Sequence, residues 1–163
     1  MRTPHYTGCY IDGANQPQVE GDARSVRLSE SFGRVLDRET AKFCQRVLDY
    51  DVATERDYEL SDDFSREAED WLNDNAGLPY AYWGWDDGNF GLWPSVENAK
   101  EDCDFVSVKS LADAQRLGIE TDPEDSSYPP EDYEGEWLHI SDHGNCTLYL
   151  RRDGKNTEIW SVA

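Results

Sequence analysis

An α+β fold is what this sequence predicts: an antiparallel sheet that includes a C-terminal three-stranded meander, with two main helices packed on it. Three observations carry that expectation. Two segments in the first half place apolar residues at helical spacing. Residues 80–85 and 90–93 are aromatic, strand-prone runs on either side of Asp86-Asp87-Gly88-Asn89, a turn signal. Three β-rich runs then close the chain, separated by Asp142-His143-Gly144-Asn145 and Asp153-Gly154-Lys155-Asn156. At 163 residues, with neither an internal repeat nor a linker, the chain reads as one domain, 1–163.

The elements follow in order. Residues 5–12 suit a short strand, and 13–25, with Gly, Gln and Pro, read as loop. The spacing predicts a first helix from Ser29 or Ser31 to about Tyr50, with Phe32, Val35, Leu36, Phe43, Val47 and Leu48 as one apolar stripe. A second helix is expected from about Asp62 to Asn75, burying Phe64, Ala68, Trp71 and Leu72 and ending at Gly77. A short helix over 96–102 after Ser95 and a strand over 105–108 come next. Ser110-Leu-Ala-Asp113 resembles a capping box opening a helix that ends at Gly118. Residues 120–136 form a long acidic loop with Pro123, Pro129 and Pro130 and no basic residue. In the closing strands, Leu138 and Ile140 alternate with Trp137 and His139, and Cys146, Leu148 and Leu150 share a face.

Charge dominates the composition. There are 35 Asp and Glu against 15 Lys and Arg, a formal net charge of −20 with pI near 4.3. Such an excess repels itself in a compact state. It disfavours direct contact with nucleic acid or an anionic membrane, because phosphate binding relies on Lys and Arg. It favours a basic partner and speeds encounter with one. Aromatics are 12% of the chain, which argues against a disordered acidic polymer. The N-terminal residues lack an apolar signal-peptide core, and no apolar run approaches a membrane span, so a cytoplasmic protein with reduced thiols is expected.

The chemistry-bearing residues offer little support for an enzyme, a metal or a cofactor. Cys9, Cys44, Cys103 and Cys146 form no paired zinc spacing; of the histidines only His139 and His143 are close together. A nucleophilic cysteine needs an electropositive setting, whereas the field here is negative. Among 35 acids, carboxylate pairs arise by chance, so they signal neither a glycosidase nor a nuclease. Arg151-Arg152 is the one basic cluster in sequence. Phosphate-loop and nucleophile-elbow patterns are absent. The Asp142–Asn145 quartet is what a tight turn demands.

Two explanations of the acids compete. A folded surface studded with carboxylates can present a field like that of a duplex, which carries one negative charge per ~1.7 Å of axis, and so occupy a basic channel. On this reading the partner-binding residues are Asp57, Glu59, Asp62, Asp63, Glu67, Glu69 and Asp70 on the second helix. Glu97, Glu101, Asp102 and Asp104 around the short helix join them, with Glu124, Asp125, Glu131, Asp132 and Glu134 of the long loop. The other explanation is a saline environment, in which acids keep the protein hydrated; the few lysines, Lys42, Lys100, Lys109 and Lys155, agree with either. A third class is an adaptor whose interface is the aromatic hairpin, through whichever of Trp83, Trp85 and Trp93 strand alternation leaves exposed. A small hydrolase without a recognisable motif is the remaining alternative.

In size, charge and lack of catalytic motifs the chain resembles small acidic inhibitors encoded by phages and mobile elements, the anti-CRISPR and anti-restriction proteins that look like DNA to their targets. The stretch Trp137-Leu-His-Ile-Ser-Asp-His-Gly-Asn-Cys-Thr-Leu-Tyr149, closing with Glu158-Ile-Trp-Ser-Val162, looks like the tail of phage and mobile-element proteins. The resemblance implies a stoichiometric, cofactor-free inhibitor of a bacterial nucleic-acid-targeting defence complex, a CRISPR effector ahead of a restriction enzyme. It assigns no residue a role.

Overall fold

A computed structural model describes residues 7–13, 16–108, 129–130, 132–141 and 144–162. The capping-box helix expected at 110–118 and most of the acidic loop lie outside these residues. The α+β class is as expected, and the chain separates into two compact units, 1–93 and 94–163.

The first unit begins with β1 (Gly8–Asp12), followed by α1 (Gln18–Phe32), which starts within the stretch 13–25 expected as loop and ends just after the Ser29 or Ser31 start expected for the first helix. Val19, Ala23 and Val26 supply the apolar spacing, but Gly21, Asp22, Ser25 and Ser29 share the buried side, so the stripe is hidden among small polar residues. The helix stops at Gly33, whose φ of 116° is left-handed; its N–H bonds back to the Glu30 carbonyl. The stripe expected to run on through Val35 is therefore broken, and Val35 is 91% exposed.

A new start follows. Asp37 caps α2 (Arg38–Cys44) by accepting from the backbone N–H groups of Glu39 and Thr40. The helix passes into a five-residue π-helical turn, Gln45–Asp49. Phe43, Cys44 and Val47 pack with Val19, Ala23 and Val26 of α1.

Helix α3 (Glu55–Asn75) begins seven residues before the expected Asp62. Thr54 is its N-cap in a complete capping box with Asp57. It ends at Ala76, with no left-handed glycine, so Gly77 does not cap it. Ala68 joins the α1–α2 cluster, while Leu72 and Ala76 face the sheet. Between α1 and α3 the small side chains meet directly: Ser25 Oγ and Ser65 Oγ are 3.0 Å apart. Such residues let the backbones approach while the hydroxyls satisfy one another.

The hairpin β2 (Ala81–Asp86) and β3 (Asn89–Pro94) arrives as expected, with β1 added antiparallel to β3. Its turn places Asp87 and Gly88 at positive φ. Trp83 is at the centre of this half. Its ring meets Tyr10 at 4.8 Å, Phe32 at 5.4 Å and Phe90 at 6.1 Å, and its Nε1 donates to the Ala76 carbonyl at 2.9 Å.

The second unit carries α4 (Val96–Asp102), then β4 (Phe105–Val108), β5 (Gly135–Ile140), β6 (Cys146–Arg152) and β7 (Lys155–Val162). These strands form a second sheet in the order β4-β5-β6-β7 rather than joining the first. The meander β5-β6-β7 is antiparallel as expected, but β4 runs parallel to β5. Val106, Leu138, Leu148 and Trp160 stand opposite one another across the four strands. On the other face Trp137, also fully buried, stacks on Tyr149 at 4.9 Å.

Candidate functional site

Among the described residues, the outer face of α3 carries a dense row of exposed acids. Its buried side, Ser61, Ser65, Ala68 and Leu72, is fixed by packing, so the opposite side is fixed as solvent-facing. Glu55, Glu59, Asp62, Asp63, Glu67, Asp70 and Asp74 are all exposed there, three or four residues apart except for the adjacent Asp62 and Asp63. From Glu55 to Asp74 the row is about 28 Å long at the rise of an α-helix. Arg66 lies within it, 2.5 Å from Asp62 and 4.0 Å from Asp63, and Arg34 reaches Glu67 at 3.0 Å. All three contacts neutralise part of the row; the Arg66 pairs, exposed on both sides, hold little energy, whereas the Arg34 side chain is largely buried.

Two helix acids expected in that row are elsewhere. Asp57 is 1% exposed. Its carboxylate accepts from Arg46 Nε and NH2, from the Thr54 backbone N–H and from the Thr54 hydroxyl. The Arg46 guanidinium holds its pKa down at about 2. It is a structural group and not part of a docking surface. Glu69 turns toward β2 and is half-buried beside Gly84; burial pushes its carboxyl up.

In the second unit Glu97, Glu101, Asp102 and Asp104 are exposed, with Glu97 paired to Lys100 at 2.9 Å. Asp132 is exposed. Glu134 is drawn into the β6–β7 turn, where it accepts from the Asp153 N–H at 2.9 Å. Glu124, Asp125 and Glu131 lie outside the described residues.

The tryptophans divide. Trp83 is wholly buried and is removed from the interface candidates. Trp93 is half-buried, its Nε1 donating to the Gly84 carbonyl at 2.9 Å. Trp85 is 36% exposed, with its Nε1 donating to Ser65 Oγ at 3.2 Å. Tyr82, on the same strand, is exposed as well.

A basic cluster escaped the sequence reading. Arg38, Lys42 and Arg46, spaced four apart along α2 and the π turn, meet Arg56 and Glu39 around a cavity of about 450 Å³. Arg46 is engaged by Asp57 and Arg56 by Glu39, so much of this charge is internally balanced. The i, i+4 spacing of Arg38, Lys42 and Arg46 was the available signal; that Arg56 of α3 joins them is a tertiary contact with no local signature.

Cys44 and Cys146 are buried, and burial raises both thiols, Cys44 to about 11, which makes them poor nucleophiles at neutral pH. Among the described residues, no group of His, Cys, Asp and Glu is placed to hold a metal ion, and no helix is long and apolar enough to cross a membrane. Comparison with protein families, curated proteins and solved structures finds no match.

Proposed function

We propose that this protein binds a basic partner surface through the outer face of α3 and acts as a DNA mimic. The observation that carries the reading is the row Glu55, Glu59, Asp62, Asp63, Glu67, Asp70 and Asp74 on one ordered helix. Mimicry needs carboxylates held at set spacings, and a capped, packed helix supplies that at low entropic cost. Apart from the adjacent Asp62 and Asp63, successive acids stand about one helical turn, ~5.4 Å, apart, a few ångströms wider than the ~3.4 Å axial spacing of phosphates along one strand. A Lys- and Arg-lined channel that fits a duplex would accept such a row and be occluded by it. The resemblance to phage-encoded acidic inhibitors points to a nucleic-acid-targeting defence complex, a CRISPR effector ahead of a restriction enzyme, as the kind of target.

The test is capture from bacterial lysate with the wild-type protein and with a charge-reversed variant, Glu59→Lys, Asp63→Lys, Glu67→Lys and Asp70→Lys together. The expected result is recovery of a nucleic-acid-binding complex that duplex DNA competes away and salt elutes. The variant should keep its circular dichroism spectrum and lose the complex. Retention of the complex by a folded variant sinks the mimic. A fold that melts when salt is withdrawn, with nothing captured, would instead assign the acids to life in brine. Loss of the complex on changing Tyr82 and Trp85, with the charge-reversed protein still binding, would make the chain an adaptor acting through its hairpin.

A further inference from the structure

A second cavity, of about 320 Å³, opens where the β2–β3 turn meets the start of α1, and its walls are chemically one-sided. Asp22, Asp62, Gln16 and the Trp85 indole line it. Asp22 is 4% exposed, yet its Oδ2 has no hydrogen-bond partner. Gln16 Oε1 is likewise buried and without a partner. The orientation of that amide is set by its other end, since Nε2 donates to the Asp12 carbonyl at 2.9 Å. Both orphans are therefore acceptors. Trp85 contributes no donor either, because its Nε1 is committed to Ser65 Oγ. Its ring is held at the wall by glycines: a Cβ at Gly21 would stand 2.9 Å from Trp85 Cη2, and one at Gly13 3.0 Å from Cζ3.

Buried acceptors without donors are costly in a folded protein. Burial also pushes the Asp22 carboxyl above its ordinary range; hydrogen bonding from the Ser61 and Ser65 hydroxyls offsets part of that rise, and the Asp62 charge adds to it. A cation with several N–H groups would relieve both. Metal ions are poorly matched, since an indole wall offers them no ligand. A guanidinium suits every wall: its plane stacks on the indole, and its fork of donors reaches acceptors lying in different directions.

We propose that this cavity is a guanidinium-binding site, taking an arginine side chain against Trp85 with Asp22 and Gln16 as acceptors and Asp62 at its rim. The inference stands apart from the α3 mimic: of the acids in that row, only Asp62 also lines the cavity. A partner's arginine and free arginine share this chemistry, so both are tested.

The experiment is a titration of the full chain with N-acetyl-L-arginine methylamide, followed by calorimetry and by the Trp85 indole N–H resonance, which is assigned from its loss in Trp85→Phe. Parallel titrations use free L-arginine, the lysine analogue and the uncharged citrulline analogue. Saturable one-site binding of blocked arginine that shifts the Trp85 signal is expected, with citrulline at least tenfold weaker. Blocked arginine binding better than free arginine assigns the site to a protein side chain; the reverse order assigns it to the free amino acid. Asp22→Asn should weaken binding by roughly tenfold or more. If that variant fails to fold, Asp62→Asn and Trp85→Phe, which alter exposed side chains, should each weaken it by severalfold. The charge-reversed α3 variant, unchanged at Asp62, should still bind blocked arginine. Absence of a saturable Trp85 shift, equal binding of citrulline, or a preference for lysine overturns the proposal.

Discussion

Arg46 and Asp57 join the π-helical turn to the first turn of α3 through two parallel donor contacts, Nε and NH2 to the two carboxylate oxygens. Asp57 also closes the capping box with Thr54, so one buried carboxylate both starts a helix and fastens its neighbour. Removing it leaves a guanidinium and a helix N-terminal N–H without acceptors. Asp57→Ala should cost about 3 kcal/mol, since loss of one partner of a buried pair is severe and the cap is lost too. Glu59→Ala, two residues on and exposed, should stay within about 0.5 kcal/mol. Urea unfolding of the two variants beside wild type checks both.

The same group sets an acid limit. Its carboxyl is lowered from 3.8 to about 2 in the folded protein. A lowered carboxyl binds fewer protons when folded than when unfolded. Its stabilisation is therefore complete above pH 3.8 and is lost as pH falls toward 2, about 2 kcal/mol in all. Asp22 has the opposite sign. Its carboxyl is raised by burial, so its contribution is greatest below 3.8 and is lost as pH rises through its folded value. Asp22→Asn should consequently be more stable than wild type at neutral pH and have a flatter stability profile between pH 4 and 7. Thermal unfolding across that range measures it, and an Asn variant that is less stable at pH 7 would refute the account.

Gly91 of β3 pairs with Cys9 of β1 and leaves no room for a side chain. A Cβ there would stand 2.4 Å from the Gly8 carbonyl oxygen and 2.7 Å from Trp93 Cζ2. The first of these is backbone and cannot swing aside. Gly91→Ala should destabilise by about 2 kcal/mol and open the β1 edge. The expected signature is faster amide exchange in β1 with the α1–α3 amides still protected.

Much of the fold was legible because its signals are local. Alternation and turn residues placed β2, β3, β5, β6 and β7 within a residue or two, and Ser95 marked the start of α4. The helical half was read less well. α1 buries Gly21, Asp22, Ser25 and Ser29, and a stripe built of small polar residues has no hydropathy period to detect. Gly33 and Asp37, a terminator followed by a cap, were the overlooked local signal; Val35, standing free between them, is the residue that the assumed continuous stripe misplaced. The pairing of β4 with β5 joins segments far apart in the chain, and its direction carries no local signature.

The candidate surface shows the same division. Composition and local pattern already establish that the chain is strongly acidic, that most of α3 is helical, and that an aromatic hairpin follows it. They could not separate Asp57 from Glu59, or Trp83 from Trp85, because each pair sits in one stretch of uniform composition. Only the tertiary structure separated them. Arg46 arrives from the π turn to claim Asp57, and Phe32 and Tyr10 arrive from α1 and β1 to enclose Trp83. Periodicity tells which residues share a face, but whether a face is covered depends on what the rest of the chain brings against it.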